Sequence, residues 1–264
     1  MAKGMEMVDI NDGCLGRGKA TDKEKTQNER LSDDDLIELL KNKLPTLRTS
    51  AARILGERKC IASVPFLCSS LLTEKALYPR LAVCEALAAI GEPVLPDLVT
   101  LIGMVGNNRH ESLPERGFYK KSYPLPRDLA VRTIIRIGPV ALPFLEDVLQ
   151  NGERNGRLEA IDGIGHIAFY FKQYPSEPAL LAAYPQTETD PVMRWKIIRA
   201  FQSFPSNQVR EILIAIIRDG QIPAHRWEAV RSLGQLRMNI PDDLIQQAGM
   251  DENSEVRNIA QRFL

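Results

Sequence analysis

"RLAVCEALAAIG", Arg80 to Gly91, sets an arginine before a run of apolar residues and ends the run on a glycine. Val83 and Cys84, three and four residues after the arginine, and Leu87, seven after it, fall on one side of a helix and form a single apolar stripe. The same spacing recurs. It appears in "RTSAARILGERK" from Arg48, "RDLAVRTIIRIG" from Arg127, "RLEAIDGIGHIA" from Arg157, "RWKIIRAFQSFP" from Arg194 and "RWEAVRSLGQLR" from Arg226, and a shortened form, "RNIAQRFL", starts at Arg257. Successive arginines stand 32, 47, 30, 37, 32 and 31 residues apart, and a period in the thirties marks a stacked repeat.

Upstream of each arginine lies a second apolar segment, such as "PVLPDLVTLIG" or "PVALPFLEDVLQ". Several open with proline, whose missing N–H is harmless in a first helical turn. The repeating unit is therefore a helix pair. Neither helix buries its apolar face alone, so the pairs are expected to stack into an all-α, right-handed α-solenoid of about seven pairs over residues 33–264. Residues 1–32 carry mostly charged and small polar side chains without a helical stripe, which predicts a flexible tail.

"RLAVCEALAAIGEPVLPDLVTLI" and "RDLAVRTIIRIGPVALPFLEDVL" resemble the HEAT-like repeats of the phycobilin-lyase type, in which an Arg-led helix ends in Gly and a Pro-led helix follows. The resemblance covers about residues 33–264. It implies the architecture and leaves the function open, because that family holds pigment lyases, a di-iron hydroxylase, DNA glycosylases and scaffolds without chemistry. Lys59, Ala168, Pro205 and Arg237 depart from the pattern at the terminal glycine.

Composition narrows the function classes. Lys plus Arg and Asp plus Glu number 34 each, so no net field draws the chain to nucleic acid or to an anionic membrane. No apolar run approaches the ~20 residues of a membrane span, and "MAKGMEMVDINDG" lacks the apolar core of a secretion signal, so a cytoplasmic location is expected. Cys14, Cys60, Cys68 and Cys84 show no CxxC spacing and read as packed thiols. "GCLGRGKAT", Gly13 to Thr21, is one residue short of a phosphate loop, but Ala20 replaces the metal-binding hydroxyl. Neither a buried strand nor an amphipathic helix flanks it, so no nucleotide is expected there. His110, His166 and His225 are scattered, and the single His110-Glu111 pair falls short of the four that the di-iron hydroxylase resemblance would require. No metal, cofactor or catalytic group is expected.

Two regions stand out as candidate sites. Gly103 to Pro126 stretches one repeat by about fifteen residues, and such insertions emerge on one face of a solenoid as binding elements. Its "RGFYKKSY" interleaves Arg116, Lys120 and Lys121 with Phe118, Tyr119 and Tyr123, suited to an acidic peptide or a base. The alternative is that Phe118 and Tyr123 fold back to cap the core. Five residues after each lead arginine stand Arg53, Glu85, Arg132, Asp162, Arg199, Arg231 and Arg262. That position lies roughly 140° from the lead residue on a helical wheel, which predicts a concave ridge of arginines. Trp195 and Trp227 precede Arg199 and Arg231 by four residues, and such pairs form a cationic, aromatic floor or else wedge between neighbouring helices. The lead arginines themselves read as structural, bonding turn carbonyls or acidic residues of the next repeat. The expected function is a scaffold that binds a protein or acidic peptide on the ridge. A DNA-binding protein or alkylpurine glycosylase using Asp162, and a pigment lyase or chaperone, stand as alternatives drawn from the resemblance.

Overall fold

A computed structural model of the chain describes residues 17–106 and 108–264. Every regular element among them is an α-helix or a short 3-10 turn, and none of these helices is long and apolar enough to cross a membrane. The chain divides into two compact units, the first ending at Leu101 and the second beginning at Ile102.

The first unit holds α1 (Asp22–Asn28), α2 (Asp33–Leu39), α3 (Pro45–Glu57), α4 (Val64–Thr73), α5 (Leu77–Ile90) and the single turn α6 (Leu95–Leu98). The Arg-led helices α3 and α5 pack along their length. Gly56 makes this close approach possible, since a Cβ there would lie 2.6 Å from the Ala86 Cα. Cys60, Cys68 and Cys84 are buried, and burial pushes the Cys68 thiol up to about 12. Cys14 lies outside the described residues.

Residues 17–32 correct the expectation of a loose tail. Asp22–Asn28 is helical and packs on α3, Ala20 is buried, and the Asn28 amide donates to Ser50 Oγ at 3.1 Å. The Gly18 carbonyl accepts the Thr49 hydroxyl at 2.6 Å, and a Cβ on Gly18 would collide with Pro45 and Pro79. That part of the phosphate-loop look-alike is a packing element. Gly13 to Gly16 lie outside the described residues.

The second unit holds α7 (Leu129–Ile137), α8 (Leu142–Asn151), α9 (Arg154–Phe171), α10 (Glu177–Ala183), α11 (Pro191–Phe201), α12 (Asn207–Asp219), α13 (Pro223–Leu236), α14 (Asp242–Gly249) and α15 (Ser254–Phe263). The helices α7, α9, α11, α13 and α15 carry or directly follow lead arginines, and they lie side by side in that order. Gly91 and Gly138 end α5 and α7 at φ 88° and 95°, in the left-handed region that glycine enters freely. Where glycine is missing, Lys59, Lys172 and Arg237 take φ 51°, 56° and 54°. Ala168 does not end its helix, because α9 continues to Phe171 before Lys172 caps it.

The lead arginines bond the turns of their own repeats. Arg48 holds the Glu74 carboxylate at 2.7 and 2.9 Å and the Asn42 carbonyl at 2.7 Å. Arg226 holds Asp251 at 2.7 and 2.9 Å together with the Gly220 carbonyl at 2.9 Å. Arg257 donates to the Asp251 carbonyl at 2.6 Å. Bidentate guanidinium–carboxylate pairs of this kind fix one repeat against the next.

Candidate functional site

The repeat register places two charged columns on the second unit's Arg-led helices. Glu159, Lys196 and Glu228 stand two residues after their lead arginines, and Asp162, Arg199 and Arg231 stand five after them. A three-residue step returns to the same helix face, so the two columns are neighbours. All six side chains are at most 4% exposed. Lys196 Nζ bonds Glu159 Oε1 at 2.7 Å and Asp162 Oδ2 at 3.0 Å, Arg199 closes on Asp162, and Arg231 Nη1 meets Glu228 Oε1 at 3.1 Å. Three carboxylates face three cations, which is the condition for keeping charges out of water.

This overturns the ridge at Arg199, Arg231 and the two tryptophans. Trp195 and Trp227 are each 2% exposed, and their rings pack edge to face with centroids 6.2 Å apart. The Arg199 guanidinium does lie over the Trp195 ring, 4.2 Å from its centroid. Arg199 and Arg231 point at buried carboxylates, and the fold covers all four residues. Arg53 is half-buried on α3 of the first unit, whereas Arg132 is exposed on α7 of the second.

The cover is the 103–126 insertion. Asp128, the N-cap of α7, accepts Val131 N–H at 3.0 Å and Gly103 N–H at 3.2 Å, so one buried carboxyl pins both feet of the loop. Burial pushes that carboxyl up to about 6. Arg231 Nη2 donates to the carbonyls of Ser122 at 2.8 Å and Lys120 at 3.2 Å, and its guanidinium lies 5.0 Å from the Phe118 centroid. His110 sets its ring on Trp195 at 4.9 Å. Glu255 of α15 accepts the Gly117 N–H at 2.9 Å and the Tyr119 hydroxyl at 2.7 Å. Tyr123 is 3% exposed and packs between His166 and Phe169. The aromatic residues of the insertion thus turn inward, while Arg116, Lys120 and Lys121 remain exposed.

Between loop and helices lies a cavity of about 250 Å³, walled by His110, Phe118, Asp162, Trp195, Arg199 and Trp227. On its wall, Asp162 and His110 are held in fixed charge states. Burial pushes the Asp162 carboxyl up, but Arg199 and Lys196 outweigh it and hold the group below its ordinary value. Burial, reinforced by Arg199, drops His110 to about 3. Outside this cavity, against Tyr123, burial drops His166 to about 4. Both imidazoles are neutral at pH 7, and Asp162 has two cations on its oxygens, so this carboxylate is committed to the fold. Among the described residues no three His, Cys, Asp or Glu side chains form a metal-ligating group.

Glu159, Lys196 and Glu228 were not among the candidates read from the sequence. Their signal was present, because all three occupy the same position of successive repeats, where the residue faces the core. A charged side chain repeated at a buried register position announces a partner in the next repeat.

A solved complex, CpcE and CpcF of phycocyanin lyase from Nostoc sp. PCC7120, is 16% identical over 89% of this chain and 95% of that chain, with a TM-score of 0.34. Among curated proteins, none matches the chain in sequence. Residues 177–264, which contain the lead arginines Arg194, Arg226 and Arg257, match the family model described as HEAT repeats.

Proposed function

We propose that the chain is a binding scaffold whose second unit takes an acidic segment of a partner protein on the outer face of the insertion. The observation that carries this reading is the way the loop is held. Its inner side is tied down by Glu255, Arg231 and the burial of Tyr123, while Arg116, Lys120 and Lys121 remain exposed. A loop ordered before binding spares its partner the entropy of ordering it. Cations at its rim steer an acidic chain and fix its register. Arg199, Arg231, Trp195 and Trp227 support this surface from below instead of forming it.

The test uses a fluorescent peptide rich in Asp and Glu, titrated against the wild type and an Arg116→Glu, Lys120→Glu double variant. Affinity is expected to fall at least ~10-fold in the variant, and to fall for the wild type as ionic strength rises from about 0.05 to 0.3 M. Equal affinity of the two proteins overturns the reading.

A further inference from the structure

The cavity beneath the insertion bears on what the partner segment must carry. At about 250 Å³ it falls below the ~300–1,000 Å³ of sites that enclose a whole small molecule, so it suits a single side chain. Its wall is mainly apolar and aromatic. Phe118 and Leu125 come from the insertion, and Trp195 and Trp227 come from α11 and α13. The two indoles meet edge to face, and His110, neutral at pH 7, packs against Trp195. Asp162 is the acidic residue of the wall, and its oxygens are already bonded by Lys196 and Arg199. Its carboxylate is therefore not available to a cationic ligand.

The rim has a different character. Arg116, Leu125 and Arg127 line the cavity and are exposed, so it reaches the surface at two arginines and a leucine. Leu125 is 53% exposed, an uncovered apolar side chain at the lip. Arg127 meets the neutral side-chain oxygen of Asn108 at 3.2 Å, a contact that leaves its charge uncompensated. Arg116 belongs both to this rim and to the surface proposed for the acidic segment. A chain lying on Arg116 therefore passes beside the cavity.

We infer that the acidic segment anchors itself by one aromatic side chain in this cavity, with its Asp or Glu neighbours on Arg116 and Arg127. The inference rests on the partner-binding reading and adds a second requirement to it, a ring flanked by acidic residues. A ring entering among Phe118, Trp195 and Trp227 gains edge-to-face contacts beyond the area it buries. Anchors of this kind, an aromatic side chain filling a pocket, carry most of the energy of an interface. The two arginines alone would accept any acidic chain. The cavity is what discriminates among such chains.

The test compares three peptides of one Asp- and Glu-rich sequence that carry Phe, Leu or Ala at the central position. By fluorescence anisotropy of labelled peptide against the full chain, the Phe peptide is expected to bind at least ~10-fold more tightly than the Ala peptide and at least ~3-fold more tightly than the Leu peptide. Trp195 and Trp227 are the chain's two tryptophans and both wall the cavity, so their emission reports on its occupation. Unlabelled Phe peptide is expected to change that emission along the same saturation curve, whereas the Ala peptide binds without changing it. Leu125→Gln, at an exposed position that leaves the fold intact, is expected to weaken the Phe peptide at least ~3-fold and to leave the Ala peptide unchanged.

The anchor is overturned if the Phe peptide binds no more tightly than either of the others, if saturating Phe peptide leaves the emission unchanged, or if the Leu125→Gln protein binds the Phe peptide as the wild type does. In each of those cases, weaker binding of the Ala peptide by the Arg116→Glu, Lys120→Glu protein keeps the surface reading standing by itself. Binding of none of the peptides to the wild type overturns both.

Discussion

A methyl group at Gly165 would lie 2.1 Å from the Tyr123 hydroxyl, so the glycine in the middle of α9 is what lets the insertion seat its tyrosine. Gly165→Ala is expected to expel the Tyr123 ring and cost about 2–4 kcal/mol, the range for losing a buried large side chain with incomplete repacking. The Tyr123 hydroxyl itself has no hydrogen-bond partner. Tyr123→Phe removes a buried polar atom without removing a bond, and is expected to be neutral or to stabilise by up to about 1 kcal/mol. Urea denaturation of the two variants separates the ring from its hydroxyl. A destabilised Tyr123→Phe protein would show that the hydroxyl is bonded in solution. Neither effect was legible in "RLEAIDGIGHIA", where Gly165 reads as a weak helix residue. The reason is that its neighbour, Tyr123, comes from 42 residues earlier in the chain, and no local pattern records such a contact.

At the scale of the element, the insertion was recognisable as an anomaly of spacing, and its composition was read as two alternatives. The structure divides its residues between them. Phe118 and Tyr123 cap the core, and Arg116, Lys120 and Lys121 face outward. His110 links the loop to Trp195 as a neutral ring, its value lowered from 6.5 to about 3 by burial and by Arg199. The unfolded chain takes up the proton as pH falls through 6.5, while the folded chain does not. The stability from this group is therefore complete above 6.5 and declines as pH falls toward 3. Asp128 acts in the opposite sense between about 6 and 3.8, so the effect is best read as a difference between proteins. Comparing urea midpoints at pH 7 and pH 4.5, His110→Gln is expected to lose about 1–2 kcal/mol less than the wild type, after allowance for the partial exposure of the ring. Identical losses would mean that His110 is already free of the tryptophan.

At the scale of the molecule, each unit closes its own core, and in the second the insertion is part of that core. Replacing residues 107–124 by a short Gly/Ser linker uncovers Trp195, Trp227, Asp162, Arg199 and Arg231. The second unit is expected to lose about 2–4 kcal/mol, from apolar area returned to water and only partly offset by a shorter loop. Hydrogen exchange should then quicken at α11 and α13 and stay unchanged at α3 and α5. Unchanged protection at α11 and α13 would make the loop an appendage.

The sequence alone carried the all-helical class, the repeat register and the structural arginines, because a helical stripe and its glycine stop are local properties that recur every thirty-odd residues. It also carried the column of Asp162, Arg199 and Arg231, though not its burial, and the column of Glu159, Lys196 and Glu228 went unread. Tertiary structure decided that Arg199, Arg231, Trp195 and Trp227 lie inside, that residues 17–32 pack on the first unit, and that Arg116 and Leu125 share a cavity with the two tryptophans. Each of these depends on which distant segment covers a face. A helical wheel shows where a side chain points, but burial depends on what arrives there from elsewhere in the chain.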